Sequence, residues 1–179
     1  MANAEDLHRA GKNAAVSRLL AKASALETIT KKEMKKLTPK RQRIVSQVNR
    51  WARAANFRQQ VLCAYTQRCA VTRMQLKLVD AAHILPVQAE ETTDDVRNGI
   101  ALSPTYHRAF DNGLIYLDED YVMRPNPEKE LQLVTLKLDG GLPAFKRTLG
   151  KRILLPPDRR QRPDTAMIRK ANRYRRIPA

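Results

Sequence analysis

The first third of the chain repeats its apolar positions with the period of a helix. Alanine and leucine recur at three- to four-residue intervals over residues 4–26, which predicts an amphipathic helix. Thr38-Pro39 then combines a capping residue with proline at the first helical position. A second helix is therefore predicted from Pro39 to about Tyr65, with an apolar stripe formed by Ile44, Val48, Trp51, Ala55, Val61 and Leu62.

After Cys69 the helical period gives way to short runs of β-forming residues. Strands are predicted over residues 69–72, 76–85 and 99–102, and the polar, acidic segment between the last two is predicted to be a loop. Ser103-Pro104 repeats the signal of a cap followed by proline, so a short helix should cover Pro104 to Asp111 and end at Asn112-Gly113.

The last third of the chain contains both strand-like and helix-like patterns of apolar residues. Residues 114–117 and 121–123 flank a turn-like acidic triplet and predict a β-hairpin, and residues 131–138 predict one more strand. A short helix near residues 144–149 and a basic helix over 164–176 complete the chain. The pattern as a whole predicts an α+β fold.

Charge adds the first functional information. The 179 residues carry 34 Lys and Arg against 18 Asp and Glu, a formal net charge of +16. Residues 1–57 contribute +9, residues 58–140 contribute −3 and residues 141–179 contribute +10. Two basic arms around an acidic centre indicate a polyanionic partner, which the arms would bind through its phosphates. A merely solvated basic surface is the alternative interpretation.

Other classes of protein fit the sequence poorly. No apolar run approaches the roughly 18 residues that a membrane span needs, and the first residues lack the apolar core of a signal peptide. Cys63 and Cys69 cannot form a four-thiolate zinc site, and such sparse cysteine is typical of a reducing compartment. We expect an intracellular, cytoplasmic protein without a membrane partner, in which both cysteines are small buried residues.

Several separated motifs then agree in their order. They are Arg68-Cys69-Ala70-Val71-Thr72, Ala82-His83-Ile84, Asn98-Gly99, His107-Arg108-Ala109-Phe110-Asp111 and Gly113-Leu114-Ile115. In this order and spacing the sequence resembles the HNH endonucleases of the ββα-metal group, over roughly residues 57–123. The resemblance implies a ββα-metal core with a following β-hairpin, flanked by an N-terminal helical region and a basic C-terminal tail.

The resemblance also assigns roles to individual residues. His83 would be the general base, because a neutral imidazole is suited to accept a proton from an attacking water at neutral pH. Asn98 would bond backbone across the loop and hold the strand end that presents His83. His107 would bind a divalent cation, and Asp111, one helical turn later, could point at the same ion.

Two positions depart from the pattern of the family. Many HNH sites place Asp directly before the catalytic histidine as a metal ligand, and here that residue is Ala82. Asp80, two residues before Ala82, would lie on the same strand face as Ala82 and is the best substitute as a metal ligand. Arg73 stands where this branch has a turn glycine. The zinc-binding cysteine pairs of some relatives are absent.

The implied function is metal-dependent hydrolysis of DNA. The metal would be magnesium or manganese, with nickel or zinc as alternatives. The substrate would be double-stranded DNA, cut by a monomer or a homodimer, in restriction, phage biology or defence. The residues expected to bind nucleic acid are Arg73, Arg108, Lys40, Arg41, Arg43, Arg50, Arg53, Arg159 and Arg160. The domain division that follows is a DNA-binding region over residues 1–57, a nuclease core over 58–140 and a DNA-binding extension over 141–179.

Two rival functions stay open. One is a nucleic-acid-binding protein whose HNH core no longer cuts, against which both histidines argue. The other is an HNH nuclease that acts on RNA or on modified DNA. Few aromatic residues lie outside the core, and this argues against recognition of single-stranded RNA by stacking.

Overall fold

The structure, a computed structural model, describes residues 36–177. Within this range five α-helices accompany two antiparallel two-stranded sheets, so the predicted α+β class is confirmed. The helix predicted over residues 4–26 lies outside the described residues. No helix in residues 36–177 has both the length and the apolar character needed to cross a membrane.

The regular elements follow one another in the order α1, β1, β2, α2, β3, β4, α3, α4, α5. Their bounds are α1 Pro39–Ala64, β1 Asp80–His83, β2 Gly99–Leu102, α2 Pro104–Asp111, β3 Ile115–Leu117, β4 Met123–Pro125, α3 Pro127–Thr135, α4 Leu142–Lys146 and α5 Thr165–Tyr174. Single turns of 3₁₀ helix occur at Val96–Asn98 and Arg159–Gln161.

The chain divides between Asn56 and Phe57 into two compact units. The described part of the first unit, residues 36–56, is mostly the start of α1. The carbonyl of Thr38 accepts from the Gln42 amide at 2.9 Å, as expected of a helix that begins with Pro39. None of the residues 36–56 is buried, and Trp51 is 63% exposed. The predicted second helix is confirmed, but its apolar stripe is covered only within the second unit.

The second unit contains a ββα arrangement. β1 pairs with β2 in antiparallel register, from Asp80 opposite Leu102 to His83 opposite Gly99, and α2 packs against both strands. All four residues of β2 are buried. A Cβ at Gly99 would come within 2.2 Å of Val61 Cγ2, so β2 approaches α1 more closely than any larger residue would allow. Packing against α1, rather than a turn, requires this glycine.

The predicted hairpin follows α2 as β3 and β4. Its turn is held by Asp118, whose Oδ1 accepts from the amides of Asp120 and Val122. This is the local bonding that suits aspartate to turns. The hairpin prediction is confirmed, with the second strand starting at Met123 instead of Tyr121.

The C-terminal residues belong to the core of the same unit. Leu149, Ile153, Ile168 and Ala171 are buried with the strands and α2 in one hydrophobic cluster. α5 begins after Asp164, whose side chain accepts from the Ala166 amide at 2.9 Å. The predicted basic helix is confirmed, and its apolar side is covered by the rest of the unit.

The strand predicted over residues 131–138 is wrong, because that stretch begins inside helix α3. Asn126 caps α3 by accepting from the Glu128 amide at 3.1 Å, and Pro127 occupies the first helical position. The alternating apolar residues at the end of the stretch suggested a strand. The cap and proline upstream determine the structure instead.

Two other predicted strands are also corrected. Residues 69–72 form a turn, in which the Arg73 amide donates to the Cys69 carbonyl at 2.9 Å. The strand predicted over 76–85 shrinks to β1, because Leu76 and Lys77 have φ of 47° and 54° and cannot be extended. Of the two cysteines, Cys69 is buried as expected and Cys63 is exposed, contrary to expectation.

Candidate active site

A cavity of about 400 Å³ opens between the end of β1 and helix α2. His83 and Ala81 line it from β1, and His107 and Asp111 line it from α2. Side chains alternate along a strand, which is why Ala81 and His83 share this face. The start of the following loop closes one side through Pro86, Val87 and Gln88. The structure thus brings three of the predicted site residues to one cavity.

The imidazole of His83 is held on one edge and one face. Its Nε2 lies 3.0 Å from Asp94 Oδ1, and its ring stacks on Phe57 with centroids 3.8 Å apart and planes 11° from parallel. The side chain is 17% exposed, toward the cavity. A neutral imidazole that donates from Nε2 keeps its lone pair on Nδ1. The ring therefore has a fixed orientation and one nitrogen able to accept a proton.

Asn98, directly before β2, is fully buried. Its Oδ1 accepts from the Leu85 amide at 2.8 Å, and its Nδ2 donates to the Thr93 carbonyl at 2.9 Å and to the Leu85 carbonyl at 3.3 Å. The Asn98 carbonyl accepts from the Ile84 amide at 2.8 Å. These bonds join the end of β1 to the far side of the loop, directly after His83.

His107 and Asp111 lie one turn apart on the same face of α2. The distance from His107 Nε2 to Asp111 Oδ2 is 3.3 Å, and both side chains are partly open to the cavity. An imidazole nitrogen and a carboxylate oxygen this close can bind the same divalent ion. Within residues 36–177 no cluster of three or more metal-binding side chains occurs, so other ligands would be water or substrate oxygens.

Asp80 is not in the cavity. It shares the face of β1 with buried Ala82, opposite His83, and its Oδ1 accepts from Arg58 Nη1 at 2.8 Å. The second nitrogen of Arg58 donates to the Val79 carbonyl at 3.2 Å. The alternation that put Asp80 and Ala82 on one face was correctly inferred, but that face turns away from His107. In the structure Asp80 thus forms an ion pair with Arg58 and does not line the cavity.

The two predicted nucleic-acid contacts near the core lie away from the cavity. Arg108 is exposed and lines a separate groove between α2 and the α3–α4 region. Arg73 is exposed on the turn after Cys69 and has φ of 62°, the left-handed conformation for which glycine is favoured. The turn expected at this position is therefore present although its glycine is not.

The two cationic arms differ in whether their basic side chains are paired with carboxylates. In the first unit, Lys40, Arg41, Arg43, Arg50 and Arg53 are all exposed, and residues 36–56 contain no acidic residue. Near the C-terminus Arg159 is exposed, whereas Arg160 forks onto the carboxylate of Asp158 at 3.0 and 3.2 Å. This hydrogen-bonded pairing lowers the pKa of Asp158. Arg160 is thus the only one of these seven whose charge has a carboxylate partner within residues 36–177.

Sequence reasoning missed two residues that touch His83. The sequence marks Asp94 only as one of the carboxylates of an acidic loop, because the loop contains four of them and nothing in their spacing distinguishes them. Phe57 lies near the end of α1, 26 residues before His83. Its aromatic ring at the start of the motif region was the one available signal. Contacts of this kind depend on chain geometry that spacing alone does not give.

Comparison with known proteins agrees with these positions. Residues 69–118 match the model of the HNH endonuclease family. No curated protein matches the chain. A solved structure named "Modification dependent TagI restriction endonuclease" is similar over 70% of this chain and 38% of that one, with 20% sequence identity and a TM-score of 0.45. The chain thus spans well under half the length of that protein. Residues 69–118, the segment that carries His83, Asn98 and His107, are therefore similar to the HNH endonuclease family.

Proposed function

We propose that this nuclease hydrolyses phosphodiester bonds of double-stranded DNA with the help of a divalent metal ion. The observation that carries the proposal is the cavity into which His83 projects from β1 while His107 and Asp111 project from α2. A fixed base opposite a metal-binding pair is the arrangement that in-line attack of water on a phosphate needs.

In the proposed mechanism His83 activates the water. Nδ1 of the imidazole accepts a proton as the water oxygen attacks phosphorus, since Nε2 is committed to Asp94. The Asp94 carboxylate stabilises the imidazolium that results, and the Phe57 ring prevents the imidazole from rotating away from the cavity. The bond from phosphorus to the 3′ oxygen breaks, which leaves the phosphate on the 5′ end.

His107 and Asp111 would hold the metal ion. Their donor set of one imidazole and one carboxylate fits a divalent cation that takes its remaining ligands from water and phosphate. When bound, the ion would supply Lewis-acid stabilisation of charge on the phosphate and the leaving oxygen. Magnesium or manganese is the proposed ion, and nickel or zinc are alternatives. Asp80 has no place in this ligand set, because Arg58 binds it on the opposite face of β1.

The first part of α1 would bind the DNA backbone. Arg43 and Arg50 lie seven residues apart, two helical turns, and line one shallow groove on the helix surface. With no carboxylate in residues 36–56, these side chains are available to neutralise phosphates. Arg43→Gln with Arg50→Gln should lower the slope of log Kd against log salt by about 2. Arg124→Gln, which removes an arginine that lies outside both basic arms and is already paired with Asp118, is the control and should leave the slope unchanged.

The main test is cleavage of supercoiled plasmid. Wild type and His83→Ala are compared with magnesium or manganese, and DNA binding of both is measured in parallel. Cutting that is lost in His83→Ala while binding persists supports the proposal. Equal cutting by both proteins would remove His83 from the mechanism, and binding without cutting in either would favour a domain that only binds nucleic acid.

The same experiment addresses the substrate. A panel of duplex DNA, methylated DNA, single-stranded DNA and RNA should show the highest rate on duplex DNA. Preferential cutting of RNA or of methylated DNA would overturn the proposal that duplex DNA is the substrate. The plasmid products also distinguish nicking from double-strand cutting, for which a homodimer is one explanation. A role in restriction, phage biology or defence and a cytoplasmic location stay predictions.

A further inference from the structure

Arg175, the residue directly after α5, touches both segments that supply the active site. Its Nη1 donates to the carbonyl of Ile84, the residue after His83, at 2.8 Å. Its guanidinium lies over the ring of Phe110, the residue before Asp111, with 4.5 Å from Cζ to the ring centroid. One side chain thus contacts both the residue that follows β1 and the last turn of α2.

The guanidinium of Arg175 is partly buried. Nε and Nη2 are inaccessible and have no hydrogen-bond partner among residues 36–177, and the side chain makes no salt bridge within that range. Burial lowers the pKa of Arg175, which the carboxylate of nearby Asp111 opposes. A buried cation with unsatisfied donors is costly for folding. Packing alone would favour an apolar side chain here.

Neighbouring residues attach the same C-terminal segment to the loop between β1 and β2. Lys170 pairs with Glu91 in the middle of the loop. Asp164, the cap of α5, accepts from Arg97 Nη2 at 2.9 Å, and its amide donates to the Arg97 carbonyl at 3.0 Å. With the Arg175 contact at Ile84, the loop that carries Asp94 and Asn98 is held at its start, middle and end.

We propose that Arg175 is a positioning residue of the nuclease site, which sets the distance between His83 and the His107–Asp111 pair without touching DNA. The inference rests on the proposed function. Its physical basis is that one cation binds a carbonyl on the base side and an aromatic face on the metal side, so both move together. Loss of this link would let the two halves of the site drift, and small displacements of reacting groups lower rates steeply.

The test compares Arg175→Met with Arg175→Lys. Methionine keeps an apolar stem but loses the charge and the donors, whereas lysine keeps one charge and a donor for Ile84. At saturating DNA, Arg175→Met should lower the single-turnover cleavage rate by about 10- to 100-fold, with the Kd for duplex DNA changed by no more than about twofold. Arg175→Lys should recover most of the lost rate. A lysine variant as slow as the methionine variant would overturn the proposal.

Two control variants on α5 separate positioning from other effects. Arg169→Met removes the same charge from an exposed side chain paired with Glu119 at 3.3 Å, and should cut at the wild-type rate. Ile168→Val weakens the buried face of α5 and reports what general destabilisation does. If Arg169→Met slows cutting as much as Arg175→Met, or if Ile168→Val does so at an equal loss of Tm, Arg175 is not a positioning residue.

A second readout does not need cleavage. The Leu85 amide, which donates to Asn98 Oδ1, reports on the start of the loop by hydrogen exchange. Arg175→Met should speed its exchange by about tenfold or more over Arg169→Met and Ile168→Val. If wild type does not cut, the proposed function fails while this measurement still decides whether Arg175 holds the loop. Unchanged exchange at Leu85 would overturn the positioning role.

Discussion

Asp94 Oδ1 and His83 Nε2 lie 3.0 Å apart, across the loop that joins the two strands of the site. Asp94 accepts from the nitrogen of His83 that does not face the water in the proposed mechanism. The pair links the His83 ring to a loop whose other end leads into β2. The orientation of the base therefore depends on the conformation of the loop.

Asp94→Asn should reduce kcat by about 10- to 100-fold, because an amide stabilises an imidazolium less than a carboxylate does. DNA affinity should be unchanged, since Asp94 is not among the proposed DNA contacts. Steady-state cleavage and a binding titration would check both. Glu90→Gln removes an exposed carboxylate from the same loop and is the control. Equal loss in both variants would point to the charge of the loop and not to the contact with His83.

Asn98→Ala should destabilise the protein and abolish most cutting. The substitution leaves the Leu85 amide buried without its acceptor, at a cost of about 1–3 kcal/mol, and frees the strand end that presents His83. Urea unfolding and plasmid cleavage measure the two effects. Asn112→Ala, which removes one exposed bond to the Arg108 carbonyl, should change neither. Full activity in Asn98→Ala would contradict the loop-holding role.

Gly99→Ala should destabilise the protein by about 1–3 kcal/mol, since a new methyl group must displace Val61. Gly140→Ala is a matched control, because no atom lies within 4 Å of a Cβ at that position. Urea denaturation of both variants gives the comparison. If Gly99→Ala is as stable as Gly140→Ala, β2 does not depend on its close approach to α1.

Asp111→Asn should raise the metal concentration needed for half-maximal cutting by about tenfold, because a neutral amide is a weaker ligand than a carboxylate. Titration of manganese into protein stripped with EDTA measures the change. Asp120→Asn, at the exposed turn of the hairpin, should titrate like wild type. An unaltered titration of Asp111→Asn would remove Asp111 from the ligand set.

Local signals in the sequence predicted most of the helices. Ser103-Pro104 and Thr38-Pro39 each place a cap before proline, and both helices begin where those signals stand. The strand predicted over 131–138 is wrong because Asn126-Pro127 upstream starts a helix that extends into the alternating leucines. Local patterns thus succeed where a cap fixes the helix start, and fail where a few apolar residues fit both periods.

The residues of the candidate site also divide into those that local motifs predict and those that only tertiary packing brings together. His83, His107 and Asp111 meet in one cavity, as the motif spacing implied, because short elements of the ββα unit connect them. Asp80 pairs with Arg58 on the face of β1 that turns away from this cavity, and the alternation of four residues does not tell which face turns toward His107. Phe57 and Arg175 come from distant parts of the chain, and only the packing of α1 and the C-terminal segment brings them to the site.

The close approach of Gly99 to Val61 also restricts the order in which these two residues could be substituted during evolution. An alanine at position 99 meets the Val61 methyl at 2.2 Å, whereas Val61→Ala would open space for it. The double variant should therefore be more stable than the sum of the single changes predicts. Relatives that carry a larger residue at the position of Gly99 should have a smaller one at the position of Val61, and the helix residue should have changed first.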